Sequence, residues 1–377
     1  MRRSKRKAIQ KEAVVPTVTI SDLPNPITCD ILSRLPLNSI FTCKRVCRTW
    51  RDLTLEPYFA KLHLSRSPPL SLISYHTGND NNNSPSSHFE IIPLPDPPVV
   101  ARPSATMKFK TDIYFPDIHI VASCNGSILL SNYSSSNDLV IVCNPLRDHH
   151  VILPKPPKLA PLQAEKSVGF GFGYSPATDL YKVLRFTHRL GFDIYTIGID
   201  VGWRSIDTGL PPILFTTNFV FLNGFLHWLG LRNAWLICYF DIEKEQFGSF
   251  PLPSHIGSNC RCLEVVDNRL YIHNEHLGER RFWAMKDYGD FGSWTLEWVI
   301  EAQITYRFKG FVRPLKMLKD GTLLMMLNNS SSQTYAGKTT LTSYNPETRV
   351  LKEIKFCGIL PASVADVPCF PPMDALK

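Results

Sequence analysis

A turn-and-strand unit recurs five times along this chain of 377 residues, and it limits the fold more than any other feature. The clearest copy runs Asn125-Gly126-Ser127-Ile128-Leu129-Leu130, then Leu139-Val140-Ile141-Val142, then the turn Asn144-Pro145-Leu146-Arg147, then Val151-Ile152-Leu153-Pro154. A second begins at Asn223-Gly224 and passes through Ile237-Cys238-Tyr239-Phe240, Asp241-Ile242-Glu243-Lys244 and Phe250-Pro251-Leu252-Pro253. A third begins at Asp320-Gly321 and passes through Leu341-Thr342-Ser343-Tyr344 and Asn345-Pro346-Glu347-Thr348. Weaker copies start at Val168 and Asp267. Asn-Gly and Asp-Gly supply the positive φ of a tight turn, and the apolar run after each reads as a buried strand. Asn-Pro, or Asp before polar residues, makes a second turn. Each unit is therefore expected to be a small antiparallel sheet. The units fall at about 118–160, 167–212, 217–255, 260–302 and 310–358, with a mean length of 44 residues. A period of about 40–50 with four strands is what propeller blades need. The expectation is an all-β propeller over residues 67–377, six-bladed, with residues 67–112 supplying a sixth blade closed by strands from both ends. A large β-sandwich is the structural rival.

Residues 21–66 follow a different period. Ile27, Ile31 and Leu35 stand at i, i+4 and i+8, one face of a helix. Ser21 or Asn25 could cap that helix, Pro24 or Pro26 suits its first turn, and Pro36 ends it. A second apolar row (Ile40, Cys43, Val46, Cys47, Trp50, Leu53) keeps helical spacing until Pro57 precedes Phe59 and Leu62. Three short helices are expected. So few residues enclose no stable core of their own, so the module must dock, on its own domain or on a partner.

Leu23-Pro24, Ile31-Leu32-Ser33-Arg34-Leu35-Pro36, Val46-Cys47-Arg48-Thr49-Trp50 and Pro57-Tyr58-Phe59 resemble an F-box, nearly without gaps. The later pieces Ser123-Cys124-Asn125-Gly126, Cys143-Asn144-Pro145, Gly169 to Tyr174 with Tyr181-Lys182-Val183, and Phe282 to Lys286 with Ser293-Trp294 resemble the F-box-associated region of plant F-box proteins. Neither a Gly-Gly nor a Trp-Asp of other propeller repeats is present. The resemblance implies a non-catalytic substrate-recognition subunit of a Skp-cullin-F-box ubiquitin ligase. Its F-box would bind a Skp-type adaptor, and through it a cullin scaffold, while the propeller recruits a target protein for ubiquitination and degradation. By position, Leu23, Pro24, Ile31, Leu32, Leu35, Pro36, Val46 and Trp50 would form the adaptor surface or its support. The residues that hold the target are not named by the resemblance.

The formal charge of +8 is unevenly placed. Residues 1–20 carry six bases and one acid, residues 21–66 seven and four, and residues 67–377 twenty-eight of each. A broadly basic nucleic-acid-binding body is thereby disfavoured. Arg2, Arg3, Lys5, Arg6 and Lys7 have the composition of a nuclear-import patch, or else of a solvated disordered tail. No apolar run of membrane-spanning length and no secretory segment is seen. The ten cysteines then read as reduced thiols of an intracellular protein, nuclear or cytoplasmic. The polar run 76–88 reads as a mobile loop.

Catalytic and cofactor motifs fail one by one. Gly169, Gly171 and Gly173 precede Tyr174 and a strand, not a dinucleotide-binding helix. Gly337-Lys338-Thr339 lacks the first P-loop glycine, with Ser332 in its place. Cys260, Cys262, His273 and His276 could approach a metal if both cysteines share one strand face, but core thiols and turn histidines account for them better. No catalytic residue, metal or cofactor is expected. The rival functions are a propeller enzyme using the central channel, a nuclear nucleic-acid-associated protein led by the basic tail, and an F-box scaffold outside a ligase. The tryptophans at 203, 228, 235, 283, 294 and 298 are expected to pack between blades.

Overall fold

The computed structural model describes residues 22–66, 71–79, 84–94, 107–111, 113, 118–132, 139–146, 149–157, 168–187, 191–209, 214–215, 218–231, 235–257, 260–305, 312–328, 339–354 and 363–366. Residues 1–20, with the import candidates Arg2, Arg3, Lys5, Arg6 and Lys7, lie outside them, as does Ser21.

The N-terminal module has four helices, not three: α1 (Asn25–Leu32), α2 (Leu37–Cys43), α3 (Arg48–Leu53) and α4 (Pro57–Ser65). The second apolar row breaks at Cys47, whose backbone is extended (φ −154°) and whose Sγ accepts the Trp50 amide at 3.4 Å. Cysteine thus serves as the N-cap that restarts the helix. Pro24 and Pro36 precede α1 and α2, and neither helix has a side-chain cap, so Asn25 is its first residue and not its cap.

The strands form six sheets among the described residues. The chain enters through β1 (Ser71–Asn79), β2 (Pro85–Pro93) and β3 (Met107–Thr111). Five contiguous antiparallel sheets follow. They are β4 (His119–Cys124), β5 (Ser127–Ser131), β6 (Val140–Asn144) and β7 (His149–Ile152); then β8 (Val168–Ser175), β9 (Leu180–Thr187), β10 (Gly191–Thr196) and β11 (Arg204–Ile206). Next come β12 (Leu214–Phe215), β13 (Val220–Leu222), β14 (Phe225–Leu231), β15 (Trp235–Asp241) and β16 (Gln246–Pro251). Then come β17 (Cys260–Val266), β18 (Arg269–His276), β19 (Glu279–Met285) and β20 (Trp294–Ile300), and last β21 (Val312–Met317), β22 (Leu323–Asn328), β23 (Thr339–Asn345) and β24 (Val350–Ile354). These five blades, not the six expected, are the five repeat units. The remaining sheet is no contiguous blade. It is composite, in the order β25-β1-β2-β3, with β25 (Ser363–Asp366) returning from the far end of the sequence.

Six buried apolar clusters show how the sheets meet. Each lies between two sheets, in the sequence β4–β7 to β8–β11 to β12–β16 to β17–β20 to β21–β24 to the composite sheet and back to β4–β7. The strand alternation sends successive side chains to opposite neighbours. On β9, Tyr181 and Val183 face one cluster while Leu184 and Phe186 face the next. Both faces of a central strand are therefore apolar, which explains why these strands read as continuous apolar runs. Trp228, Trp294 and Trp298 are buried in these clusters, and Trp203, Trp235 and Trp283 pack against them.

The turns obey the sequence chemistry. Asn125 and Gly126 have φ of 48° and 74°, and Asn223 and Gly224 have φ of 52° and 84°. Asn144, Asp241 and Asn345 each accept backbone amides two or three residues on, through side-chain oxygens at 2.9–3.0 Å. Gly169, Gly171 and Gly173 lie on β8, where the chain passes close to the next blade. A Cβ on Gly173 would sit 2.8 Å from Ile242 and 2.9 Å from the Phe221 ring. Replacing Gly173 with Val is expected to cost about 1–3 kcal/mol by overpacking, read as a lowered denaturation midpoint with an unchanged m-value.

Two expectations are corrected here. The polar run 76–88 is not a loop throughout: β1 and β2 pair from Ser71↔Pro93 to Asn79↔Pro85, and only residues 80–83 lie outside the described residues. Backbone pairing needs no apolar side chains, and the polar groups satisfy each other. The His76 and His88 rings stack at 5.0 Å, and His76 Nε2 lies 2.9 Å from Ser74 Oγ and 3.2 Å from Glu90. His273 is not on a turn as expected but buried within β18, whereas Cys260 is the core thiol expected. His273 packs against the Phe282 ring, and no group of His, Cys, Asp and Glu fit to hold a metal occurs among the described residues. Nor is any helix among them long and apolar enough to cross a membrane.

Candidate functional site

The helical module has two unlike faces. Thr28, Cys29 and Leu32 of α1, Ile40 of α2, Leu53 of α3, and Phe59, Ala60 and His63 of α4 are buried. The apolar members join one cluster with Ile73, Phe89 and Ile91 of the composite sheet and Ile120, Ile128 and Ile141 of the next blade. The helices thus close the junction of those two sheets. Lys44 adds a hydrogen bond from Nζ to the Leu146 carbonyl at 3.3 Å. Just past α4, Arg66 binds both the carboxylate and the carbonyl of Asp30 on α1, and Arg34, just past α1, binds the same carboxylate at 3.1 Å. Hydrogen bonds from Arg34 and Arg66 hold the Asp30 carboxyl below its ordinary range.

The other face keeps apolar residues uncovered. Ile27 is 48% exposed, Ile31 37%, Val46 62% and Tyr58 54%. The sequence placed Ile27, Ile31 and Leu35 on one helix face, but α1 ends at Leu32, and Leu35 lies beyond it, half-buried. Within α1 the buried side is Thr28, Cys29 and Leu32, while the isoleucines point to solvent. An amphipathic helix normally turns such residues inward. Two isoleucines kept outside, with a threonine and a cysteine inside, mark a surface meant to be covered.

The structure sorts the residues expected at this surface. Pro24, Ile31, Pro36 and Val46 are exposed, and Leu23 is half-buried. Leu35 and Trp50 are half-buried and pack against the module's own core. Leu32 is fully inside that core and acts as support. Ile27 and Tyr58 were absent from the expected set, although both stand beside its motifs; their exposure is the signal that adds them.

Outside the helices, apolar residues stand out on three turns of the ring, one of them carrying Leu277 between β18 and β19, 84% exposed. Ile199 and Val201 lie between β10 and β11, and Val201 is wholly exposed. Tyr288 and Phe291 lie between β19 and β20, half in contact with the preceding blade. Phe291 stacks on Phe250 at 3.8 Å, and the Tyr288 hydroxyl is 2.9 Å from Nε2 of buried His227. Burial pushes that tyrosine up to about 12, so it stays protonated.

Comparison with known families gives the same two parts. Residues 20–64 match an F-box-like family, and residues 72–367 match the F-box associated beta propeller domain. The chain belongs to the plant F-box proteins. Among curated relatives, the F-box protein At3g07870 of Arabidopsis thaliana is 25% identical over 391 aligned residues, covering 90% of this chain and 89% of that one. The F-box/kelch-repeat protein At3g17530 of the same plant is 27% identical, covering 66% of each chain. In this F-box protein the matched module is the one that carries the uncovered apolar face, and the second match spans all six sheets.

Proposed function

We propose that this F-box protein is the substrate-recognition subunit of a Skp-cullin-F-box ubiquitin ligase. The uncovered apolar face of the helical module carries the proposal. A Skp-type adaptor covers Pro24, Ile31, Pro36 and Val46, with Ile27 and Tyr58 beside them, while Leu32, Leu35 and Trp50 support that face from below. Through the adaptor the chain reaches a cullin and a ubiquitin-loaded enzyme. The propeller turns hold a target protein, and catalysis by the complex is proximity: the target's lysine is kept near the loaded enzyme at high effective concentration. No residue of this chain needs to do chemistry, and no cofactor enters. The tail of Arg2, Arg3, Lys5, Arg6 and Lys7 serves nuclear import, which a reporter fused to residues 1–12 tests by its nuclear accumulation.

Co-purification with a Skp-type adaptor tests the central reading. Replacing Ile31 with Asp is expected to weaken adaptor capture by at least about tenfold, as for a central interface residue. The thermal transition should be nearly unchanged, because Ile31 is exposed. An intact chain that captures no Skp-type adaptor, or capture that Ile31→Asp and Val46→Asp leave unaltered, defeats the proposal.

A further inference from the structure

The helical module bears a second feature that the apolar face does not account for. An open depression of ≈ 670 Å³ is lined by Lys44, Arg45, Cys47, Arg48, Arg51 and Leu55. Four of those six residues are cationic and none is acidic. Lys44 is anchored, with its Nζ on the Leu146 carbonyl and 4.9 Å from the centre of the Phe41 ring. Arg51 makes an exposed contact with Asp52 at 3.5 Å. The side chains of Arg45 and Arg48 are exposed and form no hydrogen bond or ion pair among the described residues. The acids next to the lining in sequence are Asp52 and Glu56, both exposed. The fold therefore gathers four like charges around one hollow, with two exposed acids, Asp52 and Glu56, following lining residues in sequence. Such an arrangement costs the isolated chain self-repulsion and is relieved by an anionic partner.

We infer that this basic depression receives an acidic segment of the Skp-type adaptor, steering its approach and fixing its register on the apolar face. The inference rests on the proposed function. Charge complementarity identifies the occupant as acidic, and arginine forks suit carboxylates in pairs. Continuity identifies it as protein. Val46 stands between Arg45 and Cys47 and is one of the most exposed apolar residues of the module, so charge and apolar contact share one surface. Arginine beside an uncovered apolar patch is the composition of a protein interface. A nucleic acid would instead call for a basic track, and the propeller next to the module carries no net charge.

Association kinetics of the full-length protein with the purified adaptor test this. For a double R45E/R48E variant, kon is expected to fall about tenfold at low salt, with koff changed by less than about twofold. The difference should vanish near 0.5 M salt, where the screening length is only about 4–5 Å. The R45K/R48K variant should keep most of the rate. Circular dichroism melts of both variants should match the wild type, since these side chains touch no core. If the wild type binds the adaptor and R45E/R48E leaves kon and its salt dependence unchanged, the inference falls while the receptor reading stands. If the wild type binds no adaptor, both fall. If R45E/R48E leaves adaptor kinetics intact but abolishes retention of a DNA duplex or single-stranded RNA, the depression belongs to a nucleic acid and the inference is overturned.

Discussion

Acidification from pH 7 to pH 4 should remove about 6 kcal/mol of folding stability through two histidines. His63 of α4 is buried against Phe59, with ring centroids 6.0 Å apart; burial, and then the Arg66 charge, lower it to about 4. His227 of β14 is buried between blades, and burial lowers it to about 4 as well. An unfolded histidine titrates near 6.5. Between pH 6.5 and 4 the unfolded chain therefore binds more protons than the folded one. The contribution is fully present above pH 6.5 and is lost as pH falls toward 4, at about 3 kcal/mol for each residue. Carboxylates add loss of the same sign at lower pH. Burial alone would push the Glu245 carboxyl up, but hydrogen bonds from Arg204 and Lys182 outweigh it and hold the group below its ordinary range. Domain stability is commonly about 5–15 kcal/mol, so this loss should unfold much of the population near pH 4. Urea midpoints at pH 7, 6, 5 and 4 measure it. His227→Gln should lower stability at pH 7 yet flatten the pH dependence by about half between 6.5 and 4. An undiminished slope in both His63→Gln and His227→Gln would refute the assignment, whatever the absolute stabilities.

Local chemistry was legible in the sequence, and so in outline was a sheet closed by strands from both ends; which residues return to close it was not. Asn125-Gly126 and Asn223-Gly224 demand positive φ whatever surrounds them, and both adopt it. The five contiguous blades follow from such signals. The strand Ser363–Asp366 carries no turn signal and too few residues for a period, and its partner Ser71–Ser74 lies at the other end of the propeller sequence. The run 76–88 was misread as a loop because composition reports side chains, whereas its two strands are held by backbone pairing and a histidine stack. In the helical module, the apolar row Ile27, Ile31 was plain, but its direction was not. A face turned to a partner and a face turned to a core have the same spacing; the buried Thr28, Cys29 and Leu32 decide between them. The break at Cys47 was hidden because sulfur is an uncommon cap. Gly171 and Gly173, which the sequence already excluded as a nucleotide motif, are places where the neighbouring blade leaves little room for a Cβ.

Removing residues 361–377 should open the ring, and a shorter deletion of residues 368–377 that spares β25 should not. β25 pairs with β1 through Ser71↔Asp366, Leu72↔Ala365, Ile73↔Val364 and Ser74↔Ser363, and it lies against β4 of the first contiguous blade. Without it, β1 presents an unpaired edge. Leu72 and Ile73, now buried on opposite sides, sit in the two clusters that join the composite sheet to its neighbours. Four ladder pairs at about 1 kcal/mol per hydrogen bond give a loss of roughly 3–5 kcal/mol before any apolar exposure is added. The effect should reach the helical module as well, because its buried residues share the cluster that contains Ile73. The longer deletion is therefore expected to lower the urea midpoint strongly and to weaken adaptor capture although no adaptor-facing residue is touched. A synthetic peptide spanning residues 361–377, added in trans, should restore part of both by strand addition to the β1 edge. Equal midpoints for the two deletions would show that the ring is held by its six inter-sheet clusters alone, with the returning strand contributing little to closure.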